Sequence, residues 1–253
     1  MNDPALPPEI ASLVKQYSPF VKEVRKRIFL TLGVFAVSTL AGFFFYENII
    51  RFLVGALSIE GVNVVFTSPF QFINLAISCG VVTGLVVALP VFIAQVLLFL
   101  KPALSGREYR LITRLLPFSI VLFFIGFVFG AVIMRWQFQI FLERSIAMGI
   151  GNILDINRLL TTVLLTSLLM GIGFQFPIIL LILIRFEIIK YRDLSRKRLW
   201  VYLGALLFTV LLPLDSILAD FLLAVPLVAL FEITLLLSRV IQRRKPAGAE
   251  AKH

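Results

Sequence analysis

Cysteine and histidine are almost absent from this chain: Cys79 is the single cysteine and the C-terminal His253 the single histidine. A disulfide framework and a His-based metal site are therefore excluded, and neither residue is assigned a function. Charge is equally scarce. Only 15% of the 253 residues are Asp, Glu, Lys or Arg, while 60% are hydrophobic and 25 are Phe; ordinary globular chains carry about 25% charged residues. Such an apolar excess needs a solvent other than water to face, and lipid is the obvious one. Also missing are a Gly-rich nucleotide loop ending in Lys-Ser or Lys-Thr, a pair of His flanking a helical Glu, a Cys/His cluster and a Gly-x-Ser-x-Gly elbow. These absences leave a membrane enzyme with little to work with, and no cofactor or metal is expected.

The charge that remains is mostly positive, with 24 Lys and Arg against 14 Asp and Glu and a formal net charge of +10. A basic excess can mark a nucleic-acid partner, but such footprints cluster on one soluble face, whereas here the basic residues lie between long uncharged runs. No nucleic-acid partner is expected.

A helix crossing the ~30 Å hydrocarbon core needs about 20 residues. Charge-free runs of that order are Ile28–Tyr46, Leu115–Met134 and Leu159–Ile184. Gly61–Leu100 is too long for one crossing and opens on the polar, Pro-containing GVNVVFTSPF, so its helix is expected to start near Gln71 and to kink at Pro90. Leu199–Leu214 is short and ends at Pro213 and Asp215; a sixth span follows from Ser216 to Ser238, with Asp220 and Glu232 inside it. Helices five and six are expected to be short and to meet in a tight outer hairpin at Leu212-Pro213-Leu214-Asp215.

The basic residues alternate between the connecting segments. Twenty of the 24 fall in the N-terminal stretch, the second and fourth connections and the tail, and four in the first, third and fifth connections. By the positive-inside rule this describes an all-α integral membrane protein with six transmembrane helices and both termini cytoplasmic. The chain reads as one polytopic membrane domain: a cytoplasmic tail at 1–18, a six-helix core at 19–240 and a disordered basic tail at 241–253. The basic face also suits contact with anionic membrane lipid. Basic residues before the first apolar run imitate a secretory signal, but the run is too long and no small-residue cleavage site follows, so it is read as a retained span.

Polar groups inside the spans are few. Gln175, in GFQFP of the fourth span, serves either as an interhelical amide hydrogen bond or as a polar site facing a cavity. A proton- or sodium-coupled secondary transporter of a small solute would need a mid-membrane polar site, for which Gln175 is the main candidate, and no inverted repeat supports that class. Asp215 and Asp220 lie near the outer hairpin, Asp215 as a candidate N-cap of the sixth helix or a functional hairpin residue, and Glu232 lies toward the cytoplasmic end of that helix. Two acids sit amid basic residues at the cytoplasmic surface: Glu23 in FVKEVRKRI and Glu108 in KPALSGREYRL. Taken alone each has an ordinary explanation, Glu23 as the i,i+4 partner of Arg27 and Glu108 as a neighbour of Arg107 and Arg110.

Together these residues resemble the TatC family, the multispanning subunit of the twin-arginine protein translocase. The resemblance runs from about Pro19 to Arg239. Its first signature appears as Glu23, Arg25 and Arg27, and its second as Pro69, Pro90, Gln95, Phe99, Pro102, Leu104, Glu108 and Arg110. Gly126, Phe129, Gly171, Phe174, Pro177, Pro213, Asp215, Pro226, Phe231 and Glu232 continue it. The chain departs from the family where Gln71 and Gln175 stand in place of acids and where Ala219 replaces a Gln after the outer hairpin.

The resemblance implies a receptor and scaffold that binds twin-arginine signal peptides of folded cargo at its cytoplasmic face in the bacterial inner membrane. It further implies work in an oligomeric complex with TatA-like and TatB-like single-span subunits, driven by the proton-motive force. Glu23 and Glu108 are the expected signal-binding acids. Arg25 and Arg27 either snorkel at the entry of the first helix or shape the receptor site, and Phe99 and Pro102 either end the second helix or touch the signal. Two spaced carboxylates suit two guanidinium forks, which Lys fits less well.

Overall fold

The computed structural model describes residues 8–57, 63–65, 68–99, 106–149, 153–186, 188–189, 191–213 and 216–243. Apolar runs become helices because, in lipid, each peptide N–H and C=O needs a partner within its own segment. In chain order these are α1 (Pro8–Phe44), α2 (Tyr46–Leu57), α3 (Gln71–Phe99), α4 (Gly106–Ala147), α5 (Ile156–Gly173), α6 (Phe176–Arg185), α7 (Tyr191–Arg196), α8 (Arg198–Val210) and α9 (Ile217–Arg243). Two three-residue strands, β1 (Asn63–Val65) and β2 (Ile153–Asp155), pair in parallel with Val64 opposite Leu154.

Among the described residues, five segments are long and apolar enough to cross a membrane: Val21–Phe44, Gln71–Val96, Thr113–Ala147, Ile156–Ile184 and Ile217–Arg239. They run between a near end, where the first of them starts, and a far end, where it stops. α8 is apolar but has 13 residues, a rise of about 20 Å. Val37, Phe44, Val128, Leu211 and Val225 are all more than half exposed on the outside of this bundle, a surface that lipid solvates and water does not.

The fourth span is the centre. Leu160, Val163 and Leu164 of α5 pack with Leu75 and Cys79 of α3 and Phe123 of α4, while Met170, Phe174 and Ile178 pack with Leu223 and Leu227 of α9. A third cluster joins Leu180 and Ile184 of α6 to Leu194 of α7 and to Phe231 and Leu235 of α9. α1 lies at the edge, packed chiefly against α3. With no hydrophobic drive between helices in lipid, close backbone approach holds such a bundle together. Two Gly-x-x-x-Gly spacings provide it. Gly80 and Gly84 of α3 meet Thr39, Phe43 and Phe35 of α1, and Gly126 and Gly130 of α4 meet Met170, Phe174, Thr166 and Ser167 in the fourth span.

Several expectations need correction. α1 already runs from Pro8, within the stretch assigned to the N-terminal tail. The all-α expectation holds, with the three-residue β1–β2 pair as a small addition whose strands are too short to show an alternating pattern. Beyond Phe44 a separate amphipathic helix, α2, follows, with Glu47 and Arg51 paired at 3.7 Å on its exposed side. The third helix does not stop at Met134 but continues through Arg135, Glu143 and Arg144 to Ala147. Helix six is not short: α9 has 27 residues. Of its two acids, Glu232 has the partners described below, and Asp220 lies in the first turn.

The fourth span is broken in the middle rather than continuous. Pro177 cannot donate to the carbonyl of Gly173, and its ring crowds that carbonyl, so α5 ends at Gly173 and α6 restarts at Phe176. Tighter bonds close the gap, from Gln175 N–H to Ile172 O and from Ile178 N–H to Gln175 O, at 2.9 and 3.0 Å. Pro90, Pro117 and Pro226, by contrast, stay within their helices.

Candidate functional site

At the near end, the i,i+4 spacing of Glu23 and Arg27 on α1 becomes a real pair. Arg27 Nη2 donates to Glu23 Oε1 at 2.7 Å and its Nε reaches the same oxygen at 3.3 Å. The other arm of the guanidinium crosses to α3, where Nη1 donates to Gln95 Oε1 at 2.8 Å and to the Gln95 carbonyl at 3.1 Å. Arg27 therefore does more than snorkel: it ties the first two long helices together and orients Glu23. Both contacts use Oε1, and Glu23 Oε2 has no hydrogen bond among the described residues. The Glu23 side chain is 42% exposed, so that second oxygen can be offered to a ligand. Arg25 lies apart from this bridge, with its guanidinium over the ring of Phe29 at 5.5 Å.

The same end holds the last turn of α3 and the first turn of α4. Phe99 is the half-buried last residue of α3, in keeping with a helix end. Glu108 is on the first turn of α4, where a carboxylate is favoured by the helix dipole; its side chain and Pro102 lie outside the described residues.

Inside the bundle, Gln175 is buried at the α5–α6 break. Its Nε2 donates to the Ser119 carbonyl of α4 at 3.1 Å, and its Oε1 accepts from the Ser119 hydroxyl. The amide is an interhelical clasp, and the departure from an acid has a reason, because a carboxylate could not donate to the Ser119 carbonyl. Gln175→Glu and Gln175→Ala are each expected to lower stability by about 1 kcal/mol, read as an earlier thermal unfolding transition in detergent. Ser119→Ala should reproduce part of that loss.

Gln71 is explained in the same way. At the far end its Nε2 donates to Asp155 Oδ2 at 2.7 Å, while Asp155 Oδ1 accepts from the Arg158 N–H at 3.2 Å as the N-cap of α5. An acid at position 71 would face a carboxylate instead. Asn74 and Asn157 add a second contact between α3 and α5.

Glu232 belongs to a network that sequence reasoning missed. It accepts from the Tyr202 hydroxyl of α8 and pairs with Arg198 Nη1 at 3.2 Å, so the short helix is fastened to α9. Spacing could not have revealed this, since the partners lie some thirty residues apart in sequence. Glu232→Gln is expected to cost about 1 kcal/mol, as suits a half-exposed ion pair, and to increase proteolysis between α7 and α8. Asp220 is buried, and its Oδ1 has no hydrogen bond among the described residues. Asp215, the expected N-cap, lies outside the described residues. Ala219 is buried in the first turn of α9.

These polar groups join helices or sit at helix ends, and among the described residues no cluster of His, Cys, Asp and Glu could hold a metal ion. Fold and site thus define a polytopic helical membrane protein with an acid-bearing, helix-bridged near end. The family model for Sec-independent protein translocase protein (TatC) matches residues 19–226. The TatC of Escherichia coli K12 is 30% identical over 221 residues, covering 86% of this chain and 85% of its own; TatCy of Bacillus subtilis 168 is 28% identical over 238 residues, 91% of each. A crystal structure of the twin arginine translocase receptor TatC in DDM superposes with a TM-score of 0.77 at 25% identity, over 86% of this chain and 98% of that one. The chain belongs to the TatC family. It is a multi-pass inner-membrane component of the Sec-independent protein translocase, a transport receptor rather than a catalytic enzyme, and membership implies a complex with other Tat subunits.

Proposed function

We propose that the near end is cytoplasmic and is the docking face for twin-arginine signal peptides of folded cargo. The observation that carries this reading is the Arg27 bridge to Gln95, which holds Glu23 in place and leaves its second oxygen for an incoming guanidinium. Glu108, on the adjoining first turn of α4, takes the other arginine. Arg25, Phe99 and Pro102 border this surface, and the signal's apolar stretch continues onto the apolar helices beside it. Burial there at about 25 cal/mol per Å² supplies much of the affinity, and the acids supply the choice of arginine.

In this reading α8 is the fifth of six crossings and locally thins the bilayer, so both termini face the cytoplasm. Residues 19–240 form the six-helix core, with cytoplasmic tail segments at 1–18 and 241–253. TatA-like and TatB-like single-span subunits complete an oligomeric passage wide enough for a folded protein, and the proton-motive force drives transport. Gln175, Asp215 and Glu232 act as intramembrane and hairpin polar contacts in that assembly.

Expression in a strain lacking its own TatC tests the function. Export of a folded twin-arginine reporter is expected with the native chain, and loss of that export on Glu23→Gln would tie it to the proposed face. Small-solute flux through the purified chain without any signal-peptide binding would refute the proposal.

A further inference from the structure

At the near end α8 and α9 are joined at one level, where Arg198 pairs with Glu232 at 3.2 Å and Tyr202 donates to the same carboxylate. α7 packs against α9 there, with Leu194 buried against Phe231 and Leu235. The corner so formed is rich in cations. Arg192 and Arg196 of α7, Lys197 in the α7–α8 link and Arg239 of α9 are all exposed, and none of them makes an ion pair among the described residues. Glu232 is already engaged, so among the described residues of this corner Asp193 is the acid left against four cations. Apolar neighbours set the depth. Leu199 and Trp200, directly after the cations of the link, are 67% and 74% exposed, and Ile233, Leu236 and Leu237 of α9 are about half exposed just inside Arg239. The last apolar span ends at Arg239, and α7 meets α9 four to eight residues inside that end, a rise of about 6–12 Å. The cations therefore stand where acyl chains give way to headgroups, the depth at which Trp and snorkelling Arg and Lys concentrate.

A ligand for this corner needs negative charge at headgroup depth and apolar chains to cover Leu199 and Trp200. A soluble acidic segment would bring the charge and leave the apolar wall bare, and a zwitterionic headgroup would bring a cation of its own. We propose that the α7–α8 corner is a binding surface for anionic phospholipid. The phosphates lie against Arg192, Arg196, Lys197 and Arg239, and the acyl chains run along Leu199, Trp200 and Leu236. Guanidinium and phosphate match in bidentate geometry, and each basic residue at this depth adds to the preference for an anionic lipid. The bound lipid holds the near end of α8, a helix of 13 residues, at headgroup level. The leaflet in which it lies rests on the orientation proposed above; the lipid preference does not.

Trp136 and Trp200 are the two tryptophans of the chain, so Trp136→Phe leaves Trp200 as a reporter within the corner itself. The full-length chain with that substitution is placed in phosphatidylcholine bilayers containing a fixed fraction of either phosphatidylglycerol or phosphatidylcholine with dibrominated acyl chains, and quenching of Trp200 is measured. Brominated phosphatidylglycerol is expected to associate at least about fivefold more strongly than brominated phosphatidylcholine, the scale of one basic residue at an anionic surface. Arg192→Gln, Arg196→Gln and Lys197→Gln together should bring that ratio close to one, and each alone should lower it part of the way. Lys22→Gln with Lys26→Gln, which removes two exposed cations of the same end from α1, should leave the ratio at Trp200 as it was. Equal quenching by the two lipids overturns the proposal, as does a ratio unchanged in the three single variants. A fall in the α1 variant as large as in the corner variants would mark a diffuse surface potential, and loss of the preference on adding an acidic peptide at micromolar concentration would mark a protein-binding surface; either result overturns it too. The measurement uses no signal peptide, so failure of the lipid preference leaves the receptor reading standing, and failure of signal-peptide binding leaves the lipid surface standing.

Discussion

A chain carrying Glu23→Gln and Glu108→Gln is expected to bind a twin-arginine signal peptide at least about a hundredfold more weakly than the native chain and no better than its twin-lysine counterpart. The basis is charge against background. Twenty of the 24 basic residues lie in the segments assigned to the near face, so a cationic peptide is repelled unless a carboxylate is presented to it. A hydrogen bond to a charged group contributes about 1.5–3 kcal/mol; two such contacts account for a hundredfold or more, since every 1.4 kcal/mol is tenfold. Glu23→Gln keeps the shape of the side chain but removes the charge that holds both Arg27 and the ligand. Arg27→Gln should therefore weaken binding as well, by releasing Glu23 from its orientation and α1 from Gln95. Fluorescence anisotropy with labelled Arg-Arg and Lys-Lys peptides at fixed ionic strength checks this. An Arg preference undiminished in the double variant would remove both acids from the recognition site.

The second large effect concerns the α4–α5 crossing. Gly126→Val is expected to destabilise the bundle by about 3 kcal/mol or to prevent folding, the upper part of the range for overpacking. A Cβ at position 126 would lie 2.7 Å from the Met170 carbonyl and 2.6 Å from the Phe174 ring. The carbonyl is helix backbone in the central span and has no room to retreat. Gly33→Val is the matched control, because a Cβ there meets nothing within 4 Å on a helix that faces lipid. Size-exclusion profiles and thermal unfolding in detergent should separate the two, with Gly33→Val close to the native chain. Equal behaviour of both variants would mean that close approach at Gly126 is not what holds α4 to the fourth span.

The start of α3 at Gln71 was legible because polar and Pro-rich residues give way there to an apolar run. The spans themselves were legible because each is a contiguous stretch without charge, and hydropathy is a local property. The break in the fourth span was less so. Pro177 was not read as a break, and since Pro90, Pro117 and Pro226 sit inside continuous helices, proline by itself does not say whether a helix bends or stops. α2 was missed because an amphipathic helix of 12 residues with an ion pair reads as a loop beside longer apolar runs. The Gly-x-x-x-Gly spacings at 80–84 and 126–130 were visible in the chain, but only contact partners turn a spacing into an interface.

The candidate site divides along the same line. Glu23 and Arg27 share one helix face four residues apart, so their pairing follows from helical periodicity alone. Gln95 lies 68 residues from Arg27, Ser119 lies 56 from Gln175 and Tyr202 lies 30 from Glu232. Each of those contacts depends on which helices become neighbours and in what rotation. Composition and charge order determined by themselves that this is a helical membrane protein, because transfer of each segment into lipid is judged segment by segment. The tertiary structure decided that Arg27 bridges two helices and leaves an oxygen of Glu23 unspent, that Gln71 and Gln175 are structural donors, and that Glu232 fastens the short helix. Side-chain partnership across a bundle is set by packing, which no single segment encodes.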